Sequence, residues 1–162
     1  MRGSTKAPTG YAPAMNDLEA IRRVIALYAQ LVDDKRFEEW GQLFTEDAVF
    51  VAHGRRIEGR ARIVESIAAM LGPIQVKHLV ASPVVDLVAT DRAMAWTDLT
   101  SFVRGEAGVG IATIGRYHDE LARGADGTWR LARRELVAVG AELPPEVTPS
   151  PGPRPPPPRA PH

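Results

Sequence analysis

Apolar side chains near the start of the chain recur at three- and four-residue steps, the spacing of an amphipathic helix. The stripe consists of Leu18, Ile21, Ile25, Tyr28 and Val32. Asn16 can cap this helix, with Glu19 completing a capping box. The pattern predicts a helix that ends near Asp33, followed by a second, shorter helix whose apolar face carries Phe37, Trp40, Leu43 and Phe44.

Beyond Ala48 the apolar period becomes that of strands, interrupted by one helical segment, "ARIVESIAAML", which ends at a Gly-Pro pair. "AVFVAHG" and "RRIEGR" read as two short strands, followed after the helical segment by four long strand-like runs. Asp126-Gly127 indicates a hairpin before the last run, and Pro83 indicates a bulge or bend within the first of the long runs. Helices followed by a meander of long strands predict an α+β fold, in which N-terminal helices pack on a strongly curved antiparallel sheet that encloses a pocket.

Composition limits the classes of function. The chain has 162 residues, 20 basic and 20 acidic side chains and no cysteine. The balanced charge argues against nucleic acid and membrane surfaces as partners, and the absence of cysteine excludes disulfides and thiolate chemistry. We expect a cytoplasmic protein with a disordered leader (1–15), one domain (16–141) and a Pro-rich disordered tail (142–162).

Two adjacent acids, Asp33 and Asp34, stand at the predicted end of the first helix. The helix dipole disfavours a carboxylate at that position. A functional role for one of the two would account for its placement there.

Six segments stand out along the chain, in this order: "YAQLVD", "LFTEDAVF", "EGRARIVESI", "KHLVASPVV", "GRYHDEL" and "DGTWRLARREL". Together they resemble the SnoaL-like branch of the nuclear transport factor 2 superfamily. The resemblance covers roughly residues 16–139 and implies a cone-shaped α+β barrel. The branch includes dehydratases, a dehydrochlorinase and polyketide cyclases, so one fold hosts many reactions.

The resemblance also implies catalytic residues. Asp33 matches an aspartate that orients a histidine, His78 matches that histidine, and Tyr28 matches a tyrosine that contacts the substrate oxygen. An imidazole suits general base and then general acid catalysis, and a buried carboxylate fixes its tautomer. Asp34 lies one step off the motif and is expected to be solvated. Tyr28 also lies on the core stripe, so a packing role stays open.

Other side chains are candidates for an apolar cavity that binds a small, ring-containing ligand: Tyr117, Trp40, Phe50, Trp96 and Phe102. The same spacings suit a packed core. Arg133 and Arg134 should point to opposite faces of the last strand, which leaves open which of them faces inward. His53 and His118 are expected at the surface or the rim, and no metal or cofactor is expected, since the histidines lack ligand spacing.

Two relatives with other chemistry guide the interpretation. The position of the ketosteroid isomerase base falls on Ala52, so chemistry with that base is not expected. The arginine between two acids that marks limonene-epoxide-type hydrolases is not evident, although Asp98, on the strand of Trp96, keeps an inward carboxylate open. The sequence thus predicts a cofactor-independent, dehydratase-type lyase. The alternatives are a cyclase or isomerase with the same dyad, or a non-catalytic binding or assembly module. Under either reading a homo-oligomer, dimer or trimer, is expected through the outer face of the sheet.

Overall fold

The computed structural model describes residues 16–154. The first helix, α1, spans Asp17–Asp33, and the Asn16 side chain caps it by accepting a hydrogen bond from the Glu19 backbone at 2.9 Å. The predicted cap and the predicted end of this helix are therefore confirmed.

The second helix, α2, is shorter than predicted and spans only Phe37–Gly41. Leu43 and Phe44 do not continue it, because the chain there already pairs with the last strand: the Leu131 backbone donates to the Leu43 carbonyl at 2.8 Å. Trp40 and Phe44 are nonetheless fully buried and contact each other, with ring centroids 4.8 Å apart. Tertiary pairing thus overrides the local helical pattern.

The remaining elements follow in the predicted order. They are β1 (Phe44–Ala52), β2 (Arg55–Glu58), α3 (Arg60–Leu71), β3 (Gln75–Val80), β4 (Val84–Leu87), β5 (Arg92–Gly105), β6 (Gly108–Arg123) and β7 (Trp129–Ala138). The break expected at Pro83 separates β3 from β4, and both of these strands pair with β5. The hairpin expected at Asp126-Gly127 joins β6 to β7, with Gly127 at φ 76°.

The seven strands form one curled, unclosed sheet in the order β2-β1-β7-β6-β5-β3, with β4 also beside β5. The predicted α+β cone is confirmed, but the sheet is mixed and not wholly antiparallel, because β1 runs parallel to β7. This pairing joins segments from the two ends of the domain, so the local period of apolar residues does not predict it. β3 lies at one end of this order, so the strand that carries His78 is an edge strand.

The inner face of the sheet packs against α1 and α3. Side chains on this face include Ala93, Ala95, Thr97 and Leu99 of β5, together with Tyr117 and Leu121 of β6, all of them buried. Alternate residues of the same strands, such as Trp96 and Asp98, face the outer side.

Residues 142–154, which we call the C-terminal strap, lie over the outer face. The Thr148 carbonyl accepts a hydrogen bond from the Trp96 indole at 2.9 Å and lies 3.0 Å from a ring nitrogen of His118. The Arg116 guanidinium donates to the Ser150 hydroxyl at 2.8 Å, and Val147 is 7% exposed. Composition alone did not predict these contacts, and residues 155–162 of the predicted tail, like the leader 1–15, lie outside the described residues.

Deletion of residues 142–162 should shift tryptophan emission to longer wavelength and lower the stability of the domain by about 1–3 kcal/mol, since Val147 and the Trp96 ring become exposed. Trp40 and Trp129 are 0% and 2% exposed under the helices and sheet, so the spectral change reports on Trp96. The matched control deletes only residues 155–162 and should leave emission unchanged. Identical spectra for the two truncations would show that the strap does not cover Trp96.

Candidate active site

The Asp33 carboxylate meets the His78 side chain where the end of α1 lies against β3. Asp33 Oδ1 lies 2.6 Å from His78 Nδ1, and Oδ2 accepts the His78 backbone N–H at 2.9 Å. The Asp33 side chain is 3% exposed and that of His78 is 11% exposed. The two residues, 45 positions apart in sequence, therefore form a nearly buried pair with two hydrogen bonds.

This geometry fixes the tautomer of the imidazole. An ionised carboxylate can only accept hydrogen bonds, so Nδ1 of His78 carries the hydrogen and Nε2 of the neutral ring is left with its lone pair. The carboxylate also stabilises the imidazolium that forms when Nε2 takes a proton. The pair thus has the arrangement of a general base with its orienting acid.

Burial alone would raise the pKa of Asp33, but hydrogen bonds from the His78 ring and backbone outweigh it, and Lys77 adds to them, so that this pKa lies below its usual 3.8. The Lys77 ammonium lies 3.2 Å from Asp33 Oδ2. Asp33 is therefore ionised at neutral pH. These interactions offset the unfavourable end of the helix dipole, which answers why an acid stands there.

The lowered pKa of Asp33 predicts a pH dependence of folding stability. Its contribution is fully present above the unfolded-state pKa, near 3.8, and is lost as the pH falls through the lower folded-state pKa. The difference in unfolding free energy between wild type and Asp33→Asn should therefore shrink as the pH falls below that value. Urea unfolding of both proteins at neutral pH and at about pH 3 measures it; a constant difference would contradict the assignment.

A second cluster lies on the inner face of the sheet, beneath α1. The Arg134 guanidinium is sandwiched between the rings of Tyr28 and Tyr117, at 3.9 and 4.0 Å from their centroids. Asp119 accepts two hydrogen bonds from this guanidinium, at 2.7 and 2.6 Å. Both charged side chains are 0% exposed. Arg134 is thus the inward arginine, whereas Arg133 pairs with Glu135 on the outer face.

The second cluster keeps hydrogen-bonding capacity to spare. Among the described residues, Arg134 Nη1, Thr97 Oγ1 and Trp40 Nε1 are buried without a hydrogen-bond partner. Thr97 stands opposite Tyr117 in the sheet, and Trp40 lies 5.3 Å from Tyr28 between ring centroids. Burial raises the pKa of the Tyr28 phenol, and it raises that of Tyr117 well above 10.0. Both phenols therefore stay protonated at neutral pH, and they hydrogen-bond to each other.

The five aromatic candidates do not share one cavity. Trp40, Phe50 and Tyr117 are buried in the core cluster with Tyr28. Trp96 lies on the outer face under the strap, because it alternates with the inward Ala95 and Thr97 along β5. Phe102 is half-buried and lies on β5 opposite a bulge in β6, where the pairing skips Ala112. The prediction of one shared cavity is wrong for Trp96, and the contacts of the inner aromatics are those of a packed interior.

The structure also places the remaining candidates. Asp98 is not an inward carboxylate: it lies exposed on the outer face and pairs with Arg116 at 2.6 Å. His53 is exposed at the turn before Gly54, and His118 faces the strap. Within residues 16–154 no group of three or more histidine and acidic side chains is arranged to hold a metal ion.

A groove of about 850 Å³ lies on the outer face, on the side of the sheet opposite to the Asp33–His78 pair. Its walls include Leu79 and Ile114 of the strands, Val139 just after β7, and Leu143 and Pro149 of the strap. Leu79, Ile114 and Val139 are 56%, 44% and 75% exposed. The large apolar concavity is therefore separate from the candidate catalytic residues.

Sequence reasoning missed Asp119 and Lys77. Asp119 follows Tyr117 by two positions, so strand alternation could have placed both on the inner face with the inward arginine. No pattern predicts the contact of Lys77, because alternation points it away from His78.

Comparison with known proteins agrees with this fold. A protein of unknown function from Mycobacterium tuberculosis, whose structure has been solved, has 27% sequence identity and a TM-score of 0.69, over 78% of each chain. A protein from Novosphingobium aromaticivorans provisionally named scytalone dehydratase has 26% identity and a TM-score of 0.68, over 76% of this chain and 84% of that one. A nuclear transport factor 2-like protein from the same bacterium has 26% identity and a TM-score of 0.70, over 78% and 84%.

Curated protein sequences gave no match, and no helix within residues 16–154 is long and apolar enough to cross a membrane. The family model of the SnoaL-like domain matches residues 13–135, a span that includes both the Asp33–His78 pair and the buried Arg134 cluster. This chain belongs to the SnoaL-like domain family, with a nuclear transport factor 2-like fold.

Proposed function

We propose that the protein is a cofactor-independent lyase that eliminates water from a small, hydrophobic, ring-containing substrate. The observation that carries this proposal is the 2.6 Å contact between Asp33 and the His78 ring. A catalytic base needs a pKa near the working pH and a basic atom held in a fixed direction, and an imidazole side chain suits this role. A buried carboxylate on the other ring nitrogen orients the imidazole and stabilises its charged form.

In the proposed reaction, His78 Nε2 removes a proton from a carbon next to an electron-withdrawing group. The electron pair of that C–H bond forms the new double bond, and the leaving hydroxyl takes a proton from the imidazolium and departs as water. Asp33 stabilises the imidazolium in between. The His78 ring returns to its starting state, so the cycle consumes no other reactant.

We further propose that donors of the Arg134 cluster stabilise the negative charge that develops on the substrate oxygen. Because this cluster is buried and packed, the oxygen reaches it only when the aromatic side chains move apart. Tyr28 lies five residues before Asp33 on α1, which is about 7.5 Å along the helix. Among the described residues, a donor of this cluster left without a partner is Nη1 of Arg134, whose guanidinium lies between the neutral phenols of Tyr28 and Tyr117. Because Asp119 already neutralises Arg134, a neutral carbonyl oxygen is a better partner there than a carboxylate.

The same dyad could serve an isomerase or a cyclase, since these reactions also begin by removing a carbon-bound proton. The three reactions differ in what the resulting carbanion does. Product analysis separates them: loss of water, a moved double bond, or a new ring.

A binding or assembly module is the second candidate, and the outer groove is the observation in its favour. Exposed apolar residues such as Leu79 and Val139 are typical of surfaces that bind a partner,. We propose that a homo-oligomer forms through this face. Oligomerisation does not depend on the Asp33–His78 dyad, so it is compatible with a lyase and with a binding module.

The test is a screen of small cyclic β-hydroxy carbonyl compounds, followed by the absorbance of the conjugated product. Wild type should convert at least one compound. Ligands that bind and raise the melting temperature without being converted, across the whole panel, would favour the binding module instead.

A further inference from the structure

Three donor groups of β3 surround the Asp33 carboxylate. His78 contributes its ring Nδ1–H and its backbone N–H, and the preceding residue, Lys77, places its ammonium 3.2 Å from Oδ2. The Lys77 side chain is 62% exposed, whereas that of Asp33 is 3% exposed. A solvent-facing cation therefore touches the buried acid of the dyad.

This convergence is unusual, because neighbouring residues of a strand point to opposite faces. It arises here because β3 lies at the end of the sheet order and the end of α1 lies against it. The flexible four-carbon stem of Lys77 can thus bring its ammonium around the strand edge to Oδ2, while the His78 ring reaches Oδ1 from the inner side.

We propose that Lys77 is a positioning residue that sets the working pH of His78 by sharing the Asp33 carboxylate with it. Its catalytic consequence rests on the proposed function. The Asp33 carboxylate favours the imidazolium form of His78. The Lys77 ammonium disfavours that form, because it repels the imidazolium and partly neutralises the carboxylate. Loss of the ammonium should therefore raise the pKa of His78, and retention of the charge in arginine should preserve it.

Lys77 is not the only cation that acts on Asp33. Lys35, which follows α1, interacts with the Asp33 charge, but its ammonium is directed to the Leu71 carbonyl, to which it donates at 2.8 Å. Asp34 is exposed. On β5 the residues opposite His78 and Lys77 are Ser101 and Phe102, which are uncharged.

The experiment is an NMR titration of the ¹³C-labelled histidine rings in wild type, Lys77→Met, Lys77→Arg and Arg104→Gln, with His78→Asn assigning the signal. Lys77→Met should raise the pKa of His78 by about 0.3–0.7 unit, the range of an exposed ion pair. Lys77→Arg should stay near wild type. Arg104 pairs opposite Gln75, three residues or about 10 Å from His78 along the strand, so Arg104→Gln should shift it much less.

An unchanged or lowered pKa in Lys77→Met would overturn the proposal, as would an equal rise in Arg104→Gln. The titration needs no substrate, so its result is independent of whether the screen finds an activity. Where a substrate is found, the acidic limb of the kcat/KM profile should move with the pKa of His78. A shift of the pKa without a shift of that limb would show that Lys77 affects His78 in the free protein but has no role in turnover.

Discussion

Replacement of His78 with alanine is expected to reduce turnover by about 10²–10⁴-fold, the contribution of a positioned general base. Asp33→Asn should cause a loss in the same range by a different route. Its amide can donate to Nδ1 of His78, which moves the ring hydrogen to Nε2 and removes the basic lone pair from the site. Turnover of a compound found in the screen, measured at saturating concentration, gives both values.

The neighbouring acid provides a matched control. Asp34 is exposed, so Asp34→Asn removes the same charge one residue away and should retain nearly full activity. Circular dichroism and melting temperature establish that all three variants fold. Full activity in folded His78→Ala or Asp33→Asn would exclude the dyad from the reaction, and an equal loss in Asp34→Asn would indicate a general effect of charge.

The second large effect concerns stability. Asp119→Ala should lower the free energy of unfolding by about 3–5 kcal/mol, because it leaves the guanidinium of Arg134 buried without its counter-charge. Both side chains are 0% exposed, so water does not replace the lost partner. Replacing the pair together, Arg134→Met with Asp119→Leu, should recover most of this loss, since neither charge is then buried. Urea unfolding of the single and double variants measures both effects.

An exposed ion pair serves as the control. Asp98 pairs with Arg116 on the outer face, with side chains 62% and 43% exposed, and Asp98→Ala should cost less than about 1 kcal/mol. A similar small loss for Asp119→Ala would mean that the Arg134 charge reaches solvent. Failure of the double variant to recover would indicate that the pair shapes the fold around the tyrosines.

The sequence was most informative where the relevant interactions are local. The Asn16 cap predicts the start of α1 correctly, because its side chain accepts from the backbone of Glu19, only three residues away. The turn at Asp126-Gly127 is likewise encoded by its own residues. By contrast, the short α2 and the parallel pairing of β1 with β7 depend on contacts between distant segments, so period alone predicted a longer helix and an antiparallel sheet.

The candidate site divides in the same way. The matching of Asp33 and His78 to a known family came from motif order, and the structure brings these two side chains together. Their third partner, Lys77, depends on where the edge of the sheet falls, which the sequence does not specify. Strand alternation predicts that one of Arg133 and Arg134 faces inward but does not say which. The register of β7 against β6 shows that it is Arg134.

The most direct test of the central claim is proton exchange in D₂O. For a ligand that binds, NMR can follow replacement of the hydrogen next to its carbonyl by deuterium, whether elimination, isomerisation or cyclisation follows. The dyad predicts protein-dependent exchange in wild type that falls to background in His78→Ala. Binding without exchange in wild type, or undiminished exchange in His78→Ala, would contradict a role for His78 as the base.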